Sequence, residues 1–524
     1  MKVERPSGRR LALSTAVFSA ATGLSRVLGL LREVVAKRYF GVEGEGINAF
    51  TAAFLVPNLV RSLVADQALS AAFVPIFSEL LEKGERARAW RVASSLLWLF
   101  LLGLTAITAL FILGAPLVMR VFGFSGEQLD LAVVLAQILF PIVVLLGLFG
   151  VVTGILNSYE HFSVPALTPV FWNLAIIGGL VVGVPRADGD RTALYVYAGS
   201  IVMATLVQLL LPLPWLRGRD DRLRLAVDWR DPMIRRTFAL MAPVTLGLGL
   251  INLNQVIGAV FAGRLIDPTL AVSAIDAAFR IYMLPQGMFS VAVATVLFPA
   301  LSRLAAREDY DGVRRTIGVG LRQIAFLLVP ASVASAVLAE PIVRLLYERG
   351  EFTPDQTTVV AGALAAFSAG LTFNGMMLML NRGFFSLQQP RIPTLVALGN
   401  LVLNTALYAL LYRVGVWGIP LAISLANIAA VAALLFLLRR RLGRIEFGET
   451  AAALGRVTAA AAVLGAVAYP LWRVLDDALG RALLAQAASL TAALAAGGVA
   501  YLIVARVLGV RELDVILSLR RRRG

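Results

Sequence analysis

The chain has 524 residues, of which 59% are hydrophobic and 15% charged, and its mean hydropathy is +0.81. A soluble domain of this length does not need so much apolar surface. The formal net charge of +16 fits basic loops beside anionic lipid, so we expect no nucleic-acid partner. With no cysteine, one histidine and no lysine in a P-loop context, the sequence predicts no metal centre, no cofactor and no ATPase.

Apolar runs near the length needed to cross a bilayer core of about 30 Å recur along the whole chain. They predict an all-α polytopic membrane protein with about fourteen transmembrane helices, arranged as two pseudo-symmetric six-helix halves plus two C-terminal helices. The expected spans are 11–31, 49–66, 94–122, 130–157, 166–184, 193–216, 238–263, 270–300, 318–345, 358–380, 393–413, 417–438, 452–474 and 482–508.

The connections between these spans alternate in charge. Arginine-rich connections follow the second, sixth, eighth and twelfth spans, whereas opposite connections such as 122–128 and 348–356 are acidic or sparsely charged. Because positive loops stay in the cytoplasm, this pattern predicts a multi-pass protein with both termini cytoplasmic. The basic segments are 82–91, 217–236, 303–315, 439–444 and 520–523.

An internal repeat divides the chain. Three pairs of similar segments recur in order, centred on Pro75 and Pro299, Pro116 and Pro341, and Asn157 and Asn381, at intervals of 224 or 225 residues. An even number of helices in each half gives both halves the same orientation in the membrane. The expected divisions are a first half at 1–216, a basic cytoplasmic linker at 217–236, a second half at 237–445, and two extra helices with a basic tail at 446–524.

Three arginines stand within the first two spans, namely Arg26, Arg32 and Arg61. An arginine near the bilayer centre costs roughly 2.5–3.5 kcal/mol on insertion scales, so such residues usually face a cavity, a partner or an anionic ligand. They predict a water-filled, cationic cavity for a large anionic substrate. For Arg32 a second interpretation is open, in which it caps the outer end of its helix beside Glu33 and Lys37.

Arg280 occupies the corresponding helix of the second half, and two interpretations are open for it. Asp276 precedes it by four residues, so the two side chains can neutralise each other on one helix face. Alternatively, its correspondence with Arg61 in the repeat places it beside the substrate. Asp66 near the inner end of the second span is expected to support Arg61 or the basic loops.

Polar amides also occur inside spans of the second half. Asn254, Asn374 and Asn381 are the candidates for a cation site, while hydrogen bonding between helices is the plainer interpretation.

Four segments carry a resemblance to a known family: LSRVLGLLRE (24–33), INAFTAAFLVPNLVRSL (47–63), ALSAAFVPIFSEL (68–80) and NSYEHFSVPALTPVFWN (157–173). The chain resembles the MurJ/MviN lipid II flippases, of the multidrug/oligosaccharidyl-lipid/polysaccharide exporter superfamily, over essentially its whole length. The resemblance implies that the protein moves lipid II, an undecaprenyl-diphosphate-linked disaccharide pentapeptide, from the inner to the outer leaflet of the bacterial cytoplasmic membrane by alternating access.

The resemblance also implies roles for single residues. The family's cavity arginines fall on Arg26, Arg32, Arg61 and Arg280, which would bind the diphosphate, and the two extra helices would hold the lipid tail. The implied partners are lipid II, membrane lipids and other cell-wall synthesis proteins. Many members have an acidic residue where this chain has Asn48, so Asn48 is expected only as a supporting residue, and the carboxylates that bind sodium in some members are replaced here mainly by amides.

Other functions remain open from the sequence. The chain is alternatively an exporter of another polyprenyl-linked glycan in the same superfamily, or a non-transporting scaffold of the cell-wall machinery. An enzyme acting on a lipid-linked substrate needs catalytic carboxylates at the outer face, where the acidic residues look like turn residues. We therefore expect no enzymatic activity.

Overall fold

The computed structural model describes residues 8–64, 67–443 and 447–513, and the regular elements in them are all helical. The predicted supporting residue Asp66 and the basic tail at 520–523 lie outside the described residues. The helices are α1 (Gly8–Phe40), α2 (Glu45–Val64), α3 (Gln67–Glu82), α4 (Arg86–Arg120), α5 (Gly126–Leu139), α6 (Ile142–Ser158), α7 (Ser163–Gly178), α8 (Asp190–Leu210), α9 (Pro232–Phe261), α10 (Ala271–Pro285), α11 (Val291–Ala306), α12 (Tyr310–Val337), α13 (Ala339–Tyr347), α14 (Pro354–Ser386), α15 (Arg391–Leu411), α16 (Gly418–Leu442), α17 (Phe447–Leu479) and α18 (Leu483–Val507).

Local sequence signals explain where several of these helices begin. The Asp231 carboxylate accepts a hydrogen bond from the Met233 N–H at 2.7 Å, and Pro232 follows it at the first helical position of α9. Asp309 caps α12 in the same manner through the Gly312 N–H. Capping side chains satisfy N–H groups that have no partner within the helix, so these residues fix the two starting points.

Among the described residues, eleven helical stretches are long and apolar enough to cross a membrane. Each coincides with an expected span, and the other three expected spans fall on α1, α2 and α9. The predicted class, an all-α polytopic membrane protein, is confirmed, whereas the number fourteen stays a prediction. The eleven stretches are 86–120, 126–158, 163–186, 190–216, 271–306, 310–337, 354–386, 391–414, 418–442, 448–479 and 483–507.

The first compact unit runs from Met1 to Val272 and therefore contains α9. In this unit α1 packs on α7, α2 packs on α5 and α9, and α3 packs on α6 and α9. Its core holds fully buried aromatic rings, including Phe73, Phe77 and Trp90, which meet in tilted or edge-on pairs. The unit ends beyond the predicted linker because α9 packs on α2 and α3.

Polar contacts fix α9 at both of its ends. At its start, the Arg236 guanidinium lies 3.2 Å from the Glu79 carboxylate at the end of α3. At its far end, the segment after α9 meets the start of α2, where the Gly44 N–H donates to the Thr269 carbonyl at 2.7 Å. The Gln128 amide on α5 donates to the Pro268 carbonyl at 2.8 Å. The first unit is therefore tied together by contacts between segments far apart in sequence.

The second compact unit runs from Ser273 to Gly524. Its central helix is α14, which packs against α12, α13, α16 and α11, and α17 packs on α18 and α12. The largest fully buried side chains of the unit include Tyr347, Phe367, Phe384 and Tyr408. Burial of such large rings contributes strongly to the packing energy between the helices.

Two buried ion pairs hold α17 and α18 to the rest of this unit. Arg344 on α13 pairs with Asp476 near the end of α17, and the two side chains are 4% and 13% exposed. Arg322 on α12 pairs with Glu512, just after α18, at 3.0 Å. Between these levels the Tyr501 hydroxyl donates to the Phe326 carbonyl at 2.7 Å. The two extra helices are thus fastened near both ends and in the middle.

The turns of the two units repeat with the interval found in the sequence. Gly84 between α3 and α4 has φ +78°, and Glu308 between α11 and α12 has φ +58°. Gly126 at the start of α5 has φ +56°, and Gly350 shortly before α14 has φ +62°. Both 308 minus 84 and 350 minus 126 give 224. The left-handed turns therefore recur with the same spacing as the repeated prolines.

Candidate functional site

The two arginines of α1 differ in their surroundings. Arg26 is exposed, whereas the Arg32 side chain is only 10% exposed. Arg26 can therefore reach a ligand without moving a neighbour, while Arg32 is already held by other side chains.

Arg32 is held by a carboxylate and an aromatic ring. Its Nη2 lies 2.5 Å from Oε1 of Glu33, and its Cζ lies 4.8 Å from the centre of the Trp172 ring on α7. The Trp172 Nε1 donates in turn to the Thr205 hydroxyl on α8 at 3.0 Å. Contacts to a carboxylate and to a ring face both fix the plane of the guanidinium. Glu33 thus contacts Arg32, with Trp172 as an additional contact, and α1 continues to Phe40, eight residues beyond Arg32.

Asn173 lies beside the same part of α1. Its Nδ2 donates to the Pro169 carbonyl at 2.9 Å and to the Ser25 carbonyl at 3.4 Å. Its Oδ1 is buried near Gly29 and accepts no hydrogen bond from the residues that the structure describes. The wall formed by α1 and α7 therefore combines an exposed cation, a paired cation and a buried acceptor. Trp172 and Asn173 were not predicted from the sequence, although both fall within the segment at 157–173.

The start of α2 is organised by Asn48, which is fully buried. Its Nδ2 lies 2.9 Å from the Val42 carbonyl, 3.0 Å from the Gly44 carbonyl and 2.5 Å from the Thr269 carbonyl. An ionised aspartate here would place acceptors against three carbonyl oxygens and would be repelled by them. Asn48 thus acts as a structural donor, which an acidic residue cannot replace in this arrangement. Arg61, further along α2, is half-buried.

In the second unit, Arg280 forms the expected contact on its own helix. Its Nε lies 3.3 Å from Oδ2 of Asp276, and the two side chains are 35% and 19% exposed. An ion pair with this much exposure contributes little stability. The structure therefore shows the pairing with Asp276 without removing Arg280 from a binding role.

The three residues predicted for a cation site do not all belong to the same unit. Asn254 lies on α9 of the first unit, whereas Asn374 and Asn381 lie on α14 of the second. Asn374 donates to the Tyr282 hydroxyl at 2.9 Å and accepts from Gln286 at 2.8 Å. No group of three or more acidic, histidine or cysteine side chains suited to a metal occurs among the residues searched. The cation site stays a prediction.

Sequence reasoning also missed a chain of amides between α15 and α16. Asn404 donates to Asn400 one turn earlier, and Asn400 donates to Asn427 at 3.4 Å. Asn404 is 2% exposed, and its Oδ1 has no partner among the described residues. The i, i+4 spacing of the first two residues is the sequence signal that would have found it.

A cluster joins the 217–231 segment to the start of α4 and the end of α6, and its Tyr159 lies outside the membrane-crossing stretches. Tyr159 donates to Asp220 at 2.8 Å and accepts from the Trp90 indole at 3.1 Å. Arg86 lies 2.5 Å from the same Asp220 carboxylate, and Arg219 stacks on the Tyr159 ring. Burial, together with the hydrogen bond to Asp220, raises the pKa of Tyr159 to about 12.

Comparison with known sequences finds one family over most of the chain. The sequence profile described as "Lipid II flippase MurJ" matches residues 37–485. A Vibrio cholerae protein named "Probable lipid II flippase MurJ" is 31% identical, covering 97% of this chain and 98% of the relative. A Burkholderia cenocepacia protein named "Lipid II flippase MurJ" is 30% identical, covering 81% of this chain and 83% of the relative.

Comparison with solved structures finds the same fold. A structure titled "Lipid II flippase MurJ, inward closed conformation" matches with a TM-score of 0.77 and 24% identity, covering 94% of this chain and 98% of that one. An inward-facing multidrug transporter of the MATE family matches with a TM-score of 0.67 and 18% identity, covering 82% and 95%. At these identities the matches concern the fold alone.

Proposed function

The chain belongs to the lipid II flippase MurJ family, and on that premise we propose that it carries lipid II across the bacterial cytoplasmic membrane. The observation that supports this most is the set of arginines on membrane helices, of which Arg26 is exposed on α1. A guanidinium binds a phosphate through two parallel hydrogen bonds, so a diphosphate matches these side chains in charge and geometry. The family transports a lipid and is not expected to catalyse a reaction.

The arginines take different parts in the proposed binding. Arg26, Arg61 and Arg280 are the proposed direct contacts of the diphosphate, and Arg280 keeps Asp276 as a weak partner. Arg32 is paired with Glu33 and rests on Trp172, so its charge is largely neutralised and it contributes a rigid part of the wall. The buried Oδ1 of Asn173 supplies an acceptor for a sugar or peptide N–H or O–H of the head group.

Transport proceeds by alternating access in this proposal. The two homologous halves expose the binding residues first to the inner and then to the outer leaflet, while the polyprenyl tail lies along α17 and α18. Membrane potential acts on the charges that move, at about 2.3 kcal/mol per charge per 100 mV. Both termini lie in the cytoplasm, and other cell-wall synthesis proteins use or supply the lipid.

Complementation tests this proposal. The chain is expressed in cells depleted of their own lipid II flippase, beside Arg26→Ala and the control Arg38→Ala, which removes another exposed arginine of α1. We expect the wild type and Arg38→Ala to restore growth, and Arg26→Ala to fail at equal abundance in the membrane.

The outcomes separate the alternatives. Full rescue by Arg26→Ala would make this arginine dispensable and contradict the cationic binding site. A wild-type chain that inserts well and fails to rescue would favour another polyprenyl-linked glycan as the substrate.

A further inference from the structure

A cavity of about 370 Å³ lies in the second unit, where α17 begins and α18 ends. One of its walls comes from α12, another from the first turns of α17, and the third from the residues just after α18. Since a water molecule takes about 30 Å³ of the liquid, the cavity has room for about a dozen non-hydrogen atoms. Its charged lining consists of Arg322, Arg456, Arg511, Glu449 and Glu512.

The charges around this cavity are unevenly neutralised. Arg322 is matched by Glu512, with Nε to Oε1 at 3.0 Å and side-chain exposures of 16% and 11%. Arg511 meets Glu449 only at 3.9 Å, with both side chains largely exposed, so this pair is weak. Arg456 is exposed and forms no ion pair with any residue in the described ranges. Among the described residues that line the cavity, three guanidinium groups thus face two carboxylates, and the surplus positive charge lies at Arg456.

The position of Arg456 on α17 bears on what the cavity holds. It follows Gly448, at the start of the helix, by eight residues, or about 12 Å at 1.5 Å per residue. That depth lies just inside the helix end, where long cationic side chains reach for the interface. Ala452 and Ala453, one turn before Arg456, give the same wall a small apolar surface. A cation beside an apolar helix face suits a phosphate attached to an apolar chain.

We infer that this cavity binds a phosphate group, carried by the head of an anionic membrane lipid, with Arg456 as its principal contact. Arg322, fixed by Glu512, contributes its positive charge from α12, and Arg511 turns from its weak pair toward the same group. The orientation proposed above places this site at the cytoplasmic leaflet. The site is separate from the four arginines assigned to lipid II, so its occupancy does not depend on transport.

Lipid binding to the purified full chain tests the inference. Native mass spectrometry counts the phosphatidylglycerol molecules retained, with phosphatidylcholine as the zwitterionic comparison and inorganic phosphate as a separate arm. We expect Arg456→Ala to weaken phosphatidylglycerol binding about tenfold, the effect of losing one charge-assisted hydrogen bond. Arg506→Ala is the matched control, because Arg506 is an exposed arginine in the last turn of α18 and does not line the cavity.

A second variant changes binding in the opposite direction. Glu449→Gln removes one carboxylate from the rim and frees Arg511, so it should strengthen phosphatidylglycerol binding, which a merely structural role of these residues does not predict. Equal binding by Arg456→Ala and Arg506→Ala, or equal retention of phosphatidylglycerol and phosphatidylcholine by the wild type, would overturn the inference. Competition by millimolar inorganic phosphate that is lost in Arg456→Ala would keep the phosphate site and assign it to the free anion.

Discussion

Replacing Arg344 by methionine should destabilise the protein by about 3–5 kcal/mol, the cost of breaking one side of a buried ion pair. Arg344 on α13 is 4% exposed at its side chain, and its partner Asp476 on α17 is 13% exposed. The substitution keeps an unbranched apolar stem and removes the guanidinium, whose Cζ lies over the Trp472 ring. The Asp476 carboxylate loses its cationic partner and remains buried in the protein.

The magnitude follows from how completely both charges are removed from water. Exposed ion pairs contribute only about 0–1 kcal/mol, because solvent screens them. Here the Asp476 carboxylate left behind cannot recover its full hydration. The contact between the Arg344 guanidinium and the Trp472 ring, at 5.5 Å from the ring centre, is also lost. Replacing both partners, as Arg344→Met with Asp476→Leu, removes the buried charge altogether and should recover most of the loss.

Unfolding in a denaturing detergent, followed by circular dichroism, measures these differences. Arg473→Met is the control, since Arg473 is an exposed arginine on the same α17 and its loss should change stability by less than about 0.5 kcal/mol. Two results would contradict a stabilising ion pair. One is a loss of unfolding free energy in Arg344→Met no larger than in the control. The other is a loss in the double variant equal to the sum of the two single losses, which would show no coupling.

Three further expectations concern Arg32, the left-handed turns and Tyr159. Arg32→Ala should lower unfolding stability by about 1–3 kcal/mol, because a buried acceptor loses its donor, whereas Arg26→Ala should leave unfolding unchanged; equal stabilities would show that the Glu33 contact contributes nothing. Glu308→Gly should raise stability by about 1 kcal/mol and Gly84→Ala should lower it, since both positions are left-handed; the reverse order in the same assay would contradict this. The absorbance difference between the wild type and Tyr159→Phe should titrate near pH 12, and the stabilisation from the raised pKa, complete below about pH 10, should fade as the pH rises toward 12; a midpoint near 10 would contradict the burial of Tyr159 together with its hydrogen bond to Asp220.

Much of the helical architecture can be predicted from the sequence because hydropathy and proline placement are local properties. The expected span at 130–157, for example, is found as α5 and α6, which are separated around Pro141, a residue with no N–H to donate to the preceding turn. The packing of α9 could not be predicted, because it depends on which faces of α2 and α3 meet it and not on its own composition.

The candidate site shows the same division between local and distant information. An arginine in an apolar run is visible in the sequence, so Arg32 can be identified there. Its contact with Glu33 is less obvious, because adjacent side chains on a helix do not normally face each other. The contact with Trp172 joins helices more than a hundred residues apart, and no spacing rule connects them. Sequence therefore identifies the charges, while the structure determines which of them are already engaged.

The position of α9 has a consequence for the order of synthesis. α9 covers one face of α2 and one of α3, and the Thr269 carbonyl accepts from Asn48. These partners become available only after residue 272 has left the ribosome. Residues 217–272 take roughly 3–11 s to translate at 5–20 residues per second. During that interval these faces of α2 and α3 are not yet covered by α9. The first unit of this protein therefore reaches its packed form only after α9 has been synthesised.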